Sequence, residues 1–257
     1  MTYELEFETS RIEAEVSLKK NSCVLEFDVK LDWHELGNRT KGIPQLSFRV
    51  PASYQTGTYR CIVPGGIIDR SEWAQDVPCL GYMEAVHAEE TSLAVMSDCK
   101  YGFRGYDNTV SLTLQRAPYD PDPTPDQGEH YMKIGIAAVG DKEDLAEKYD
   151  RFIHPLYAVS NSVHEGELPL SENLLNVTGN VKVDVLKKAE NGDGIILRLY
   201  NLEKKPSEIT LSAGRTPVSS AEFTDILEEA ADAIKVTDGK ATAELPAAAH
   251  RTIRIRL

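Results

Sequence analysis

Alternation of apolar and polar residues dominates the pattern along this chain. Residues 12–18 read IEAEVSL and residues 24–31 read VLEFDVKL, so every second side chain can be buried while its neighbours face solvent. A period of two is typical of β-strands with one buried face. The same pattern predicts further strands at residues 45–50, 93–96, 110–114, 130–137, 181–186, 195–200, 208–211 and 250–257.

Turn-forming residues separate these predicted strands. KNS at residues 20–22 and PGG at 64–66 are typical of tight turns, and NGDG at 191–194 predicts a β-hairpin between two strands. Many predicted strands that are separated by such turns, with no helices alternating between them, favour an all-β antiparallel sandwich over a parallel α/β sheet.

Two segments predict helices instead. Residues 141–156 carry apolar side chains at helical spacing, and Pro155 should end this helix because proline cannot donate a backbone hydrogen bond. Residues 223–233 predict a second, short helix. The apolar positions of the first helix are Leu145, Tyr149, Phe152 and Leu156.

The pattern also changes along the chain, which predicts two domains. A large β domain should span residues 1–160 and include the helix near 141–156. Residues 161–178 have weak periodicity and read as a connection, and residues 179–257 should form a smaller β-sandwich.

Composition narrows the possible partners. The chain has 28 Lys and Arg against 41 Asp and Glu, a net charge of −13, so nucleic acid and anionic membranes would be repelled over most of the surface. No apolar run approaches the roughly 20 residues that cross a bilayer. The N-terminus MTYELEFETS lacks the regions of a signal peptide, so we expect a cytoplasmic protein.

Metal binding and autonomous catalysis find little support in the sequence. The four cysteines, Cys23, Cys61, Cys79 and Cys99, lack zinc-ligand spacing and are predicted to be buried free thiols. No nucleophile elbow, zinc helix, phosphate loop or dinucleotide fingerprint is present. DWHE at residues 32–35 is interpreted as structural, with Trp33 packed at a sheet end.

The strongest candidate site is the stretch that follows the strand at 110–114. We call residues 117–127 the acidic proline loop, because they hold four prolines and three aspartates. Arg116 precedes the loop, and a guanidinium held by a strand suits bidentate recognition of a carboxylate or of paired hydroxyls. Asp126 and His130 add polar groups at its far end. These residues indicate carbohydrate binding, with an ordinary solvated acidic loop as the alternative.

Several blocks in this order resemble the C-terminal region of glycoside hydrolase family 38 α-mannosidases. The resemblance runs from about residue 10 to the C-terminus, and together the blocks are specific. They are SRI at 10–12, LDWHE at 31–35, SDCKYG at 97–102, LQRAP at 114–118, DPTPDQGEH at 122–130 and DGIILRLYN at 193–201.

The resemblance implies a galactose mutarotase-like antiparallel super-sandwich, N-terminally truncated here, followed by a small β-sandwich. It also implies that the retaining catalytic barrel, with its nucleophile and zinc, is missing, so this chain should hold no catalytic residue, metal or cofactor. Arg116 matches the arginine of the family's arginine-x-proline block and is expected to line the sugar pocket, with Asp126 and His130 in support.

The implied partners are an α-mannoside oligosaccharide and the enzyme's own barrel domain, and a homo-oligomer is left open. Two other hypotheses remain: a free-standing carbohydrate-binding module without catalysis, and a structural domain whose acidic loop docks on other domains.

Overall fold

The protein is built almost entirely of β-strands, and its structure, a computed structural model, describes residues 1–140 and 145–257. The described strand pairings are antiparallel, so the predicted all-β antiparallel fold is confirmed. The elements are β1 (Thr2–Phe7), β2 (Ser10–Leu18), β3 (Val24–Trp33), β4 (Gln45–Pro51), β5 (Thr58–Val63), β6 (Gly66–Ser71), β7 (Val77–Pro78), β8 (Tyr82–Ala85), β9 (Ser92–Ser97), β10 (Gly102–Tyr106), β11 (Thr109–Arg116), β12 (Gly128–Val139), α1 (Leu145–Ile153), β13 (Leu175–Thr178), β14 (Lys182–Lys188), β15 (Ile195–Tyr200), β16 (Ser207–Ala213), β17 (Ser220–Thr224), β18 (Ala230–Thr237), β19 (Lys240–Leu245) and β20 (His250–Arg256).

Contacts within the chain define two compact units. The first comprises Met1–Pro64 and Ile68–Ala158, and the second comprises Val159–Leu257 together with Gly65–Ile67. The domain limits inferred from the sequence stay predictions, with one correction: the end of the predicted connection is strand β13, which pairs with β16. Its LNVT sequence is too short for alternation to reveal a strand.

The first unit places its main core between two sheets. The larger has the strand order β1-β2-β3-β12-β9-β8-β5-β6, and the smaller has the order β4-β11-β10-β7. Alternate residues of both sheets point inward, among them Leu31 and Trp33 from β3 and Leu112 from β11, and all three are at most 1% exposed. Trp33 therefore packs at the end of its strand, as the sequence predicts.

Helix α1 covers the opposite face of the larger sheet. Leu145, Tyr149 and Phe152 are buried against it, as predicted, but Leu156 is fully exposed. The helix ends at Ile153 because Pro155 disfavours helical backbone in the residue before it. The predicted start at residues 141–144 lies outside the described residues.

The second unit is a β-sandwich in which β18 belongs to both layers. The strand order is β13-β16-β19-β18-β17-β20-β15-β14, and the core lies between the layers. The predicted hairpin at 191–194 connects β14 to β15.

The prediction of a helix at residues 223–233 is wrong, because the end of β17 and the start of β18 occupy most of this segment. Alanine and glutamate favour a helix locally, but pairing of β17 with β20 and burial of Ala221 and Ile234 override that preference. A tight turn joins the two strands, with a hydrogen bond from Asp225 N to Glu229 O of 3.1 Å.

The predicted burial of all four cysteines is wrong for two of them. All four are free thiols, as predicted, but only Cys61 and Cys79 are buried. Cys23 and Cys99 are exposed because they lie in the connections that follow β2 and β9, outside the strands. In the described part of the chain, no helix has the length and apolar character needed to cross a membrane.

Candidate functional site

The acidic proline loop connects the two sheets of the first unit, since it leaves β11 in the smaller sheet and enters β12 in the larger. Its start is fixed by a hydrogen bond from Ala117 N to Pro44 O of 3.0 Å. Its end is held by Gln127, whose Nε2 donates to the backbone oxygen of Glu35 at 3.0 Å. Both ends of the loop are therefore fixed to neighbouring chain segments.

One glycine makes this close approach possible. A Cβ added at Gly37 would lie 2.2 Å from the carbonyl oxygen of Ala117, a distance that no side chain can accept. The segment that follows β3 therefore packs directly against the first residue of the loop.

Arg116 is the last residue of β11, and its Cα is paired with Gln45 at the start of β4. The side chain is exposed. Within the described part of the chain, its guanidinium has no hydrogen-bond or ion-pair partner, so Asp120 and Asp122 do not bind it. The backbone is thus held by a sheet while all five N–H donors stay available to a ligand.

A hydrogen bond brings Asp126 and His130 together, whereas neither forms a hydrogen bond with Arg116 in the part of the chain that the structure describes. His130 Nε2 lies 2.7 Å from the backbone oxygen of Asp126, and because a carbonyl only accepts, Nε2 carries the proton. Asp126 adopts a positive φ of 54°, which turns the chain into β12. Their assignment to a sugar pocket, like that of Arg116, stays a prediction.

Sequence reasoning treated Glu35 as structural, yet it borders this loop as a fixed carboxylate. Its Oε1 accepts hydrogen bonds from the hydroxyls of Ser10 at 2.8 Å and Thr9 at 3.0 Å and from Thr9 N at 3.1 Å. Partial burial would raise the pKa of Glu35, but these hydrogen bonds outweigh it and the pKa lies below its usual value. No local signal could identify this role, because Thr9 and Ser10 lie on the preceding hairpin.

A second carboxylate, Asp76, fixes the strand beside Arg116. It accepts hydrogen bonds from Gln45 Nε2 at 3.0 Å, Thr113 Oγ1 at 2.6 Å and both Nε and Nη2 of Arg104 at 3.0 and 2.7 Å. Burial would raise the pKa of Asp76, but the donors and the charge of Arg104 outweigh it and hold the pKa below its usual value.

This arrangement predicts a pH-dependent stability. A depressed pKa means that the stabilisation by Asp76 is fully present above its unfolded value of 3.8 and is lost as pH falls through the lower folded value. Asp76→Asn should therefore be less stable than the wild type at pH 7, and the difference should shrink below about pH 4. Urea unfolding followed by tryptophan fluorescence from pH 7 to pH 3 measures this.

Asp28→Asn is the matched control, because Asp28 is exposed and accepts no hydrogen bond among the described residues, so its replacement should change stability little. A destabilisation by Asp76→Asn that stays constant between pH 7 and pH 3 would contradict the assignment.

The described residues do not suit zinc. Among residues 1–140 and 145–257, no group of three or more His, Cys, Asp or Glu side chains is placed to hold a metal ion. His34 Nε2 does lie 2.8 Å from Asp32 Oδ1, but no described residue is placed as a third ligand to this pair.

Family models match both units of the chain. Residues 1–124 match the model described as the glycosyl hydrolases family 38 C-terminal domain. Residues 180–255 match the model described as the glycosyl hydrolases family 38 C-terminal beta sandwich domain. The two matches together cover most of the chain and occur in the order in which the two units follow each other.

Curated relatives agree with these models. Alpha-mannosidase G of Dictyostelium discoideum is 30% identical over 193 residues, which are 70% of this chain and 17% of the relative. Alpha-mannosidase 2C1 of Mus musculus is 26% identical over 231 residues, which are 86% of this chain and 22% of the relative. The chain thus spans about a fifth of the length of the relatives it matches.

A solved structure shows the same fold. The crystal structure of an alpha-mannosidase from Enterococcus faecalis V583 superposes with a TM-score of 0.78 at 20% identity, over 96% of this chain and 29% of that one. The family matches, the relatives and the shared fold all describe one region, and the chain belongs to glycoside hydrolase family 38 as a C-terminal region of its α-mannosidases.

Proposed function

We propose that this chain is the non-catalytic C-terminal part of a retaining α-mannosidase that removes terminal α-linked mannose from oligosaccharides. In this proposal the chain supports a zinc-dependent catalytic barrel encoded in the same longer protein and contributes the acidic proline loop to its sugar pocket. Membership of family 38 and the length of the relatives support it. The cytoplasmic location stays a prediction.

The pocket assignment rests on one observation: in the described part of the chain, no carboxylate pairs with the guanidinium of Arg116. A structural arginine in an acidic loop would be expected to pair with a carboxylate, because an unpaired guanidinium contributes little to folding. Arg116 instead projects from a fixed strand end without such a partner in the described chain, beside Gln45, which is held by Asp76. A rigid backbone with free donors is the arrangement that recognition of vicinal hydroxyls requires.

Catalysis itself is assigned to the barrel. A retaining glycosidase needs a nucleophile and an acid/base carboxyl group about 5–5.5 Å apart across the scissile bond. Glu35 and Asp76 are held by neighbouring donors with lowered pKa values, which does not suit a general acid that must be protonated near neutral pH. We therefore assign positioning, and no bond-making step, to the residues of this chain.

The purified chain should accordingly fail to hydrolyse an aryl α-mannoside above background, and it should not retain stoichiometric zinc after dialysis. Release of the aryl group and metal analysis of the dialysed protein measure both. Turnover that survives treatment with a chelator, or one tightly bound zinc per chain, would contradict the proposal.

A free-standing carbohydrate-binding module is the second candidate, and one surface favours it. A groove of about 420 Å³ lies on the face of the larger sheet opposite the core and is lined in part by Glu13, Asp28, Lys30 and Tyr131. Tyr131 is 67% exposed, and an exposed ring among polar side chains can stack on a sugar.

Titration of the isolated chain with a mannose oligosaccharide, followed by NMR, separates the two functions. Binding that Tyr131→Ala abolishes and Arg116→Ala leaves unchanged would favour the module. Absence of binding by the isolated chain favours a pocket that only the barrel completes.

A further inference from the structure

Strand β11 loses its regular alternation just before Arg116. Gln115 is paired with Leu46 of β4. The register shifts between Thr113 and Gln115, which leaves Leu114 as an extra residue without a partner on β4. Two residues of β11 therefore lie opposite one residue of β4, and this arrangement is a β-bulge.

The bulge decides which face of the smaller sheet Arg116 occupies. Leu114 and Gln115 are consecutive, yet each is only 5% exposed. Leu114 belongs to the main core, and Gln115 lies opposite Leu46, which packs against that core. Arg116 comes next and is exposed, opposite the exposed Gln45. In a regular strand Gln115 would point outward and Arg116 inward, because successive side chains alternate between the two faces.

A glutamine at this inward position needs an explanation. Its Oε1 accepts a hydrogen bond from Lys100 Nζ at 3.2 Å, whereas its buried Nε2 has no partner among the described residues. A buried amide donor without a partner lowers stability, and a leucine of similar size would avoid this cost. Packing alone therefore does not account for Gln115. In the described part of the chain, the bond from Lys100 is the polar contact that holds its side chain inward.

Lys100 is held in place by its own neighbours. It lies in the connection between β9 and β10, and its backbone N donates to Ser97 Oγ at 3.0 Å. Ser97 is fully buried at the end of β9. The same connection is tied to β12, because the backbone N of Lys133 donates to Asp98 Oδ1 at 2.9 Å. A turn anchored in the larger sheet thus presents the ammonium group to β11.

We propose that Lys100 is a positioning residue for Arg116. By holding Gln115 inward, Lys100 maintains the bulge, and the bulge directs the guanidinium of Arg116 outward, to the ligand. This proposal rests on the proposed function, because that function assigns Arg116 to the sugar pocket. Lys100 acts through Gln115 and needs no contact of its own with the sugar.

The first test uses the full 257-residue chain and NMR. Facing side chains on one side of a sheet are close enough to give nuclear Overhauser contacts. The unsubstituted chain should show such contacts between Arg116 and Gln45 and between Gln115 and Leu46. Lys100→Met keeps the length of the side chain but removes the donor, so the buried amide should turn outward and both contacts should lose most of their intensity.

Two further variants make this result specific. Combining Lys100→Met with Gln115→Leu should restore the contact between Arg116 and Gln45, because an apolar side chain stays inward without a donor. A lysine that acted through its charge alone could not be replaced in this way. Lys20→Met is the matched control, since Lys20 is exposed in the turn that follows β2, and it should leave both contacts unchanged.

The second test measures kinetics in a protein that joins this chain to the proposed catalytic barrel. Lys100→Met should lower kcat/KM for an α-mannoside about tenfold, and adding Gln115→Leu should recover most of the loss. In an Arg116→Ala background, Lys100→Met should have no further effect, because the two residues act on one contact. A lysine with a purely structural role would lower the melting temperature and leave the kinetics of the folded fraction alone.

Three results would overturn the proposal. The first is the absence of the two contacts from the unsubstituted chain, which requires no variant to fold. The second is a contact between Arg116 and Gln45 that survives in Lys100→Met, and the third is a loss that Gln115→Leu does not restore although the circular dichroism spectrum matches the wild type. Contacts that respond as expected while kcat/KM does not would contradict the pocket assignment of Arg116 and still support the role of Lys100 in directing it.

Discussion

Under the proposed function, replacing Arg116 with alanine in a protein that joins this chain to the proposed catalytic barrel should lower kcat/KM for an α-mannoside by about ten- to a thousandfold, or about 1.4–4 kcal/mol. The reason is that a charge-assisted contact to a sugar hydroxyl strengthens as charge develops in the transition state. The free energy of unfolding should hardly change, because the guanidinium is exposed and has no protein partner among the described residues.

Two further variants make this result specific. Arg116→Lys keeps the charge but loses the planar fork, so its kcat/KM should fall between those of the wild type and the alanine variant. Arg49→Ala is the matched control, since Arg49 is an exposed arginine on the neighbouring strand β4, four residues from the one that pairs with Arg116. Four strand residues span about 13 Å, so Arg49 should lie outside the pocket and leave kcat/KM unchanged.

The opposite pattern would remove Arg116 from the site. If Arg116 only tied down the acidic proline loop, its loss would lower the melting temperature and leave the kinetics of the folded fraction alone. Measuring kcat/KM and melting temperature on the same variant therefore separates a pocket role from a structural one.

The strands that the sequence revealed are those in which burial alternates locally. In β3 the sequence VLEFDVKLDW buries Val29, Leu31 and Trp33 on one face, and the pattern alone is enough to predict this. Ten of the described strands escaped prediction, and two of them, β7 and β13, did so because two and four residues are too few to display a period. The all-β class thus follows from local patterning, whereas the strand order does not.

For the candidate site, the local sequence predicts even less of the structure than it does for the strands. Arg116, Asp126 and His130 stand out in the sequence because they flank one loop, but the groups that hold this region come from elsewhere. Glu35 lies about ninety residues before its partner Gln127, and Asp76 approaches β11 from a different connection. Only the pairing of distant strands brings these groups together, so no single segment could predict them.

In the second unit, we expect replacement of Asn201 to cause the largest loss of stability. This asparagine is fully buried, and the two N–H groups of its Nδ2 are shared among the backbone oxygens of Lys205 at 2.8 Å, Leu245 at 3.2 Å and Pro246 at 2.9 Å. Its Oδ1 accepts from Glu203 N at 3.0 Å. One fully buried side chain therefore ties the connection between β15 and β16 to the end of β19 and to the residue that follows it.

Asn201→Ala should lower the free energy of unfolding of this unit by about 2–4 kcal/mol, because buried carbonyl and amide groups lose their partners. Asn173→Ala is the control, since Asn173 is exposed and its side chain makes a single hydrogen bond among the described residues, to Asn176. Both tryptophans, Trp33 and Trp73, lie in the first unit, so fluorescence reports on that unit only.

Hydrogen exchange of the amides in β13 to β20, read by mass spectrometry, reports on the second unit directly. Asn201→Ala should accelerate exchange across these strands by about thirty- to a thousandfold where exchange occurs through unfolding of the unit, the factor that 2–4 kcal/mol implies. The tryptophan transition of the first unit provides the internal comparison. If Asn201→Ala exchanges no faster than Asn173→Ala, the buried amide does not hold together the segments that it contacts and its hydrogen bonds contribute little to the stability of the sandwich.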